Sequence, residues 1–144
     1  CLERLASGPY MAQDAIEALQ ASLREGPILR RLCGGHLARL TGQLISRAAA
    51  EGDLLAQKYL DRSAQALGIA IGNVANLINP QLFVLGGGVT KSGERWWNLL
   101  RETAQRTVLP EVHFDIRAAS LADDAPLWGA VALAFEGLQV PGHA

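Results

Sequence analysis

Cysteine is scarce in this 144-residue chain: Cys1 and Cys33 are the two present. That count excludes a disulfide-stapled mini-domain and fits a reducing cytoplasm. Neither sign of charge is in excess, with 13 Lys and Arg against 14 Asp and Glu and a net charge of −1. A nucleic-acid binder would usually carry a basic surplus. No apolar run reaches the roughly 18 residues that suggest a membrane-spanning helix, and no membrane partner is expected. No charged-then-apolar segment opens the chain as a secretory signal would. Internal repeats and low-complexity stretches are also missing. What is present is a composition 49% hydrophobic and 19% charged, which suits one globular domain or a large piece of one. A chain of this length buries roughly 68% of its unfolded surface, enough for a real core. It opens at Cys1 rather than Met and without a polar lead-in, and so reads as an internal piece of a longer polypeptide.

The pattern along the chain is a block of helices, then strand, helix, strand, helix. Residues 2–8 suggest a short helical turn ending at Gly8, with Pro9 at the first position of the next helix, where a missing N–H costs nothing. Apolar residues at 11, 15, 16, 19 and 23 have the spacing of one buried helical face over residues 10–23, stopped by Glu25-Gly26-Pro27. Residues 27–40 stay ambiguous, because Gly34-Gly35 interrupts a helical spacing. Thr41 predicts a cap for a helix to about Ala50, with Gly52 ending it in a left-handed turn. Asp53 predicts the cap of the longest periodic segment, 54–78, in which Gly68 and Gly72 imply close approach of another backbone.

Asn79-Pro80 breaks that helix. Leu82-Phe83-Val84-Leu85 is a short apolar run that predicts a buried strand of a parallel or mixed sheet. Gly86-Gly87-Gly88 follows at once, then a helix over 94–108 containing Trp96-Trp97. Residues 112–118 alternate, as a half-buried strand does. Ala122-Asp123-Asp124 predicts a cap for a last helix over 126–138, and residues 139–144 are expected to fray. Two strands make a marginal sheet. The strands that complete it are expected on the N-terminal side or from another chain.

Few residues point to chemistry by themselves. The strand followed by three glycines lets a ligand, or another backbone, lie on the main chain. It lacks the spacing of the dinucleotide fingerprint and of the P-loop, and a tight strand-to-helix turn explains it equally well. By themselves, Cys1 and Glu3 read first as an ordinary small core residue and a first-turn surface charge, ahead of any functional role. His36, His113 and His143 form no metal-spaced pair. Cys33 lies three residues from His36 but reads as a buried thiol, and Asp123-Asp124 reads as a helix cap at least as well as a metal pair. Trp96 and Trp97 cannot share one face of a helix. One is expected inside and the other at an edge or a partner surface, unless both are satisfied within the domain.

Four stretches, in order, resemble one family. Cys1-Leu2-Glu3 with Ala6-Ser7-Gly8-Pro9 resembles the end of the Cys-x-Cys-Gly-x-x-Gly-Cys-x-Glu motif of the ROK family of sugar kinases and repressors. Ala48-Ala49-Ala50-Glu51-Gly52-Asp53 is similar to that family's segment before its long central helix. Leu67-Gly68, and Asn79-Pro80 through Val89, resemble its adenosine-side segment, and residues 121–130 look like its last loop and helix.

The resemblance implies an α/β fold: the helix-rich, strand-poor part of the C-terminal domain of an actin-like (ribonuclease-H-like) ATPase. Residues 1–144 would be a single partial domain, with the first strands of that domain and the whole N-terminal domain upstream. It implies an ATP-dependent kinase for a hexose, glucokinase-like, or alternatively a sugar-sensing transcriptional repressor. Cys1 looks like the last of three zinc-ligand cysteines, its partner cysteines and the ligand histidine lying upstream. Glu3 looks like the carboxylate that accepts from sugar hydroxyls. Gly86, Gly87 and Gly88 look like the turn against the adenosine of ATP. The catalytic Asp and the phosphate loop, with Mg2+, would lie outside this chain, so the chain alone is expected to be inactive. The expected partners are a sugar, ATP and further copies of the chain, with nucleic acid only if it is a repressor. The expected location is the cytoplasm.

Overall fold

The structure, a computed structural model, describes residues 1–121 and 124–139. Helices α1 (Leu2–Ala6), α2 (Gly8–Ala21), α3 (Pro27–Leu32), α4 (Gly42–Ala50) and α5 (Leu54–Ile78) come first. Strand β1 (Leu82–Leu85), helix α6 (Glu94–Thr107), strand β2 (Asp115–Ala118) and helix α7 (Ala125–Gln139) follow. The strands pair in parallel, Leu82 opposite Asp115 and Leu85 opposite Ala118. A parallel pair needs a crossover, and α6 supplies it. The fold is thus helix-rich α/β with a two-stranded sheet among the described residues.

Helix α5 is the spine. Its N-cap is Asp53, a buried carboxylate that works at two helix ends. Oδ1 accepts from the Leu55 and Ala56 N–H groups at 3.0 and 3.1 Å, capping α5. Oδ2 accepts from Ile28 and Leu29 at 2.9 and 3.0 Å, satisfying the start of α3. Four otherwise orphaned donors therefore meet one side chain. The preceding Gly52 takes φ +95°, which ends α4 as its position predicts.

One face of α5 packs on α6, another on α4 and α1. Gly68 and Gly72 make the α6 contact possible: a Cβ at Gly68 would stand 2.7 Å from both the Leu100 carbonyl oxygen and Thr103 Cβ. From α6, Trp96, Leu100 and Ala104 enter the core. The Trp96 indole N–H donates to the buried Ser63 hydroxyl at 2.9 Å, and Trp97 meets Trp96 edge to face at 5.2 Å. Trp96 is thus the member of the pair that packs inside, as expected for one of the two, while Trp97 is only half-buried.

Several boundaries differ from the sequence reading. The first helix stops at Ala6, and Gly8 opens the next one rather than closing the first. Helix α2 ends at Ala21, so Leu23 lies beyond it, 87% exposed, and takes no part in the buried face. Pairing with β1 covers Asp115–Ala118 alone, leaving 112–114 outside the strand, although Phe114 still stacks edge to face on Phe83 at 5.3 Å. β1 is not buried on both faces: Leu82 and Val84 are 45% and 59% exposed. The helices cover the Phe83 and Leu85 side only. In α7, Leu127, Trp128, Leu133 and Phe135 are exposed as well. Asp123, His143 and the tail from residue 140 lie outside the described residues, while Gln139 is the last residue of α7. No described helix is long and apolar enough to cross a membrane.

Candidate functional site

The glycine turn stands at the C-terminal end of a parallel strand, the end at which open α/β sheets bind ligands. Gly87 takes φ +93° and ψ 173°, a conformation suited to glycine, and swings the chain out of β1 into a single 3-10 turn over Gly88–Lys91. Thr90 pins the turn: its backbone N–H and its hydroxyl both donate to the Gly87 carbonyl, at 3.2 and 2.7 Å. The Trp97 indole N–H in turn donates to the Thr90 carbonyl at 2.9 Å, tying the turn to α6. A Cβ built at Gly87 or Gly88 meets nothing within 4 Å, so the backbone there faces open space that a ligand can fill.

Three hollows converge on this turn. The largest, about 610 Å³, is an apolar groove between the first turns of α2, the Leu40–Ser46 stretch and the 88–92 turn. Its floor is a glycine contact: a Cβ at Gly42 would stand 2.8 Å from Gly8 Cα, so α2 and α4 start almost backbone on backbone. A second hollow of about 350 Å³ lies against the other side of Gly88, toward Arg47 and Gly93. A third, about 220 Å³, opens at the strand ends beside Gly86, Gly87 and Ala119. A groove of this size with an exposed main-chain wall fits a planar, largely apolar group such as a nucleobase.

The other expected site residues fall elsewhere. Glu3 is exposed on α1, and Cys1 is an exposed free thiol in front of it; neither lines the groove. The link between them and the groove is α2, whose N-cap is Ser7. The Ser7 N–H donates to the Glu3 carbonyl at 3.0 Å, while the Ser7 hydroxyl oxygen is buried with no hydrogen-bond partner among the described residues. Sequence reasoning used Ser7 only as part of a motif, and its adjacency to Gly8-Pro9 was the available signal. Gly42 was missed altogether, because the contact that demands it lies 34 positions away in the chain.

A structural zinc takes four ligands. Among the described residues no group of three or more His, Cys, Asp or Glu side chains converges, so those residues alone do not fit that ion. Cys33 is a buried thiol donating to the Arg30 carbonyl at 3.4 Å, and His36 and His113 are exposed.

The sequence model of the ROK family matches residues 1–136. The chain belongs to the ROK family. A glucokinase of Halalkalibacterium halodurans is 33% identical over 131 residues, covering 90% of this chain and 39% of that protein. The crystal structure of a ROK glucokinase from Streptomyces griseus in complex with glucose and AMPPNP superimposes with a TM-score of 0.79 at 31% identity, over 92% of this chain and 44% of that one. The xylose repressor of Caldicellulosiruptor bescii is 24% identical over 140 residues, 96% of this chain and 34% of that protein. The chain therefore spans about two fifths of the length of the glucokinases it matches. Proteins named as glucokinases and as transcriptional repressors thus both match this stretch.

Proposed function

We propose that this chain is the nucleotide-side, C-terminal portion of an ATP-dependent sugar kinase of glucokinase type. The observation that carries the reading is the open, pinned glycine turn at the mouth of the apolar groove, in a chain resembling a glucokinase solved with glucose and AMPPNP. Gly86, Gly87 and Gly88 give the adenosine a main-chain surface without side chains, and Trp97 and Thr90 hold that surface still. The groove behind Gly88 excludes water from the base. Glu3 accepts hydrogen bonds from two sugar hydroxyls, which orients the sugar and leaves proton removal to another group. Cys1 gives one thiolate to a zinc site completed by upstream residues, which would fix the loop that aims Glu3. The catalytic Asp and the Mg2+ and phosphate contacts that stabilise the transferring phosphoryl belong to that upstream part, with the actin-like second domain. The same reading has the complete protein working in the cytoplasm as a homo-oligomer.

The test is a coupled assay of glucose and other hexoses with ATP. The complete polypeptide phosphorylates a hexose, and residues 1–144 alone do not. Turnover by the 144-residue chain, or none by the complete protein with any hexose, overturns the assignment.

The similarity to the xylose repressor favours a second reading, a sugar-sensing repressor. Sugar-dependent release from DNA by the complete protein, with no phosphorylation, would establish that reading instead.

A further inference from the structure

Several polar side chains line the groove beside Gly88, and their hydrogen-bonding protons are constrained. The Ser46 hydroxyl donates to the Gly42 carbonyl at 3.0 Å, which uses its only proton. Ser46 Oγ and Ser92 Oγ are 3.0 Å apart, so Ser92 must be the donor of that pair. Both hydroxyl protons are thereby committed, and Ser92, which lines the groove, has only acceptor capacity left on its Oγ. Nearby, the Thr41 hydroxyl oxygen accepts from the Leu44 N–H at 3.3 Å, and the Gln13 amide donates to Glu17 at 3.3 Å. Gln43 differs: it is an exposed residue lining the groove, and its carboxamide has no hydrogen-bond partner among the described residues.

We propose that Gln43 and Ser92 form the base-reading edge of the nucleotide groove and select adenine over guanine. The inference rests on the nucleotide reading of the glycine turn given above. A carboxamide offers a donor and an acceptor side by side, the pattern that pairs with the amino group of adenine and an adjacent ring nitrogen. Gln43 alone would be a poor discriminator, since its amide can rotate to suit guanine as well. Ser92 cannot adapt so easily. Its oxygen accepts from the exocyclic amine of adenine, whereas guanine presents a carbonyl oxygen at that position, acceptor against acceptor. Accommodating guanine requires Ser92 to release Ser46 and leave that hydroxyl oxygen short of a donor.

The experiment titrates the complete polypeptide with AMPPNP and GMPPNP by calorimetry, alongside its Gln43→Ala and Ser92→Ala variants. Each variant is first matched to the parent by its circular dichroism spectrum. The expected result is that the parent prefers AMPPNP by at least about tenfold, the size of one good base-edge contact. Gln43→Ala weakens AMPPNP about tenfold. Ser92→Ala narrows the preference about fivefold or more, because the repelling oxygen is gone. If neither nucleotide binds the parent, the nucleotide reading of the turn fails and this inference falls with it. If both bind equally, or the preference survives both substitutions unchanged, the base-reading edge is overturned while the nucleotide reading stands.

Discussion

Replacing Asp53 by Ala removes the acceptor for four backbone donors at once, two at the start of α5 and two at the start of α3. Loss of an N-cap costs about 0.5–2 kcal/mol per helix, with the upper end expected where water cannot replace the lost acceptor. Asp53 is 2% exposed, so water has little access. Two helices at the upper end give a loss of about 4 kcal/mol. For a domain of this size each kcal/mol moves the midpoint by about 3–4 °C, so Tm falls by about 12–16 °C. Asp53→Asn separates the two contributions. Its remaining carbonyl oxygen can cap one helix, while the amide nitrogen faces the other pair of N–H groups as donor against donor, so a loss of about 2 kcal/mol or more is expected. Thermal and urea unfolding followed by circular dichroism reads both values. A loss below about 1 kcal/mol for Asp53→Ala would refute the claim that one carboxylate holds both helix starts.

Two further outcomes follow from the packing and the charges. Gly68→Val puts carbon within 2.7 Å of the Leu100 carbonyl oxygen and Thr103, neither of which can step aside without moving α6. A loss of about 3 kcal/mol or more, measured by urea unfolding, is expected, and a stabilised variant would contradict the close contact. The Arg31 and Arg47 guanidiniums hold the Glu51 carboxyl below its ordinary pKa of 4.5. A carboxyl lowered in the folded state adds stability that is full above its unfolded pKa and is lost as pH falls through the folded pKa. Glu51→Gln should therefore flatten the acid limb of Tm against pH below about 4.5 and leave the neutral limb parallel to that of the parent.

Local chemistry made much of the fold legible. Asp53 and Gly52 mark the boundary of α4 and α5 because a cap and a left-handed turn are properties of short stretches. Gly68 and Gly72 announced the α6 contact because a glycine pair inside a helix needs a packing reason. The division of labour between Trp96 and Trp97 follows from helical periodicity alone. Long-range features were hidden. Nothing near Asp53 in sequence says that its second oxygen serves α3, since Ile28 and Leu29 lie 25 and 24 positions away. The all-apolar β1 run reads as buried because composition cannot tell which neighbours are within reach to cover Leu82 and Val84. In the site, the glycine run was legible as a main-chain surface for a ligand or as a tight turn, and the groove beside it was not legible. The groove exists because Gly8 and Gly42 meet, a fact of tertiary packing.

The central claim is that the glycine turn is an adenosine surface, and amide chemical-shift mapping tests it most directly. Isotope-labelled chain is titrated with AMPPNP to millimolar concentration, and the shifts are assigned residue by residue. The account predicts that the largest changes fall on Gly86, Gly87, Gly88 and Val89, with the groove wall around Gly42 and Gln43 following. Saturable changes confined to the separate hollow beside Asp53 and Lys58, or no changes at the glycine turn, would contradict it.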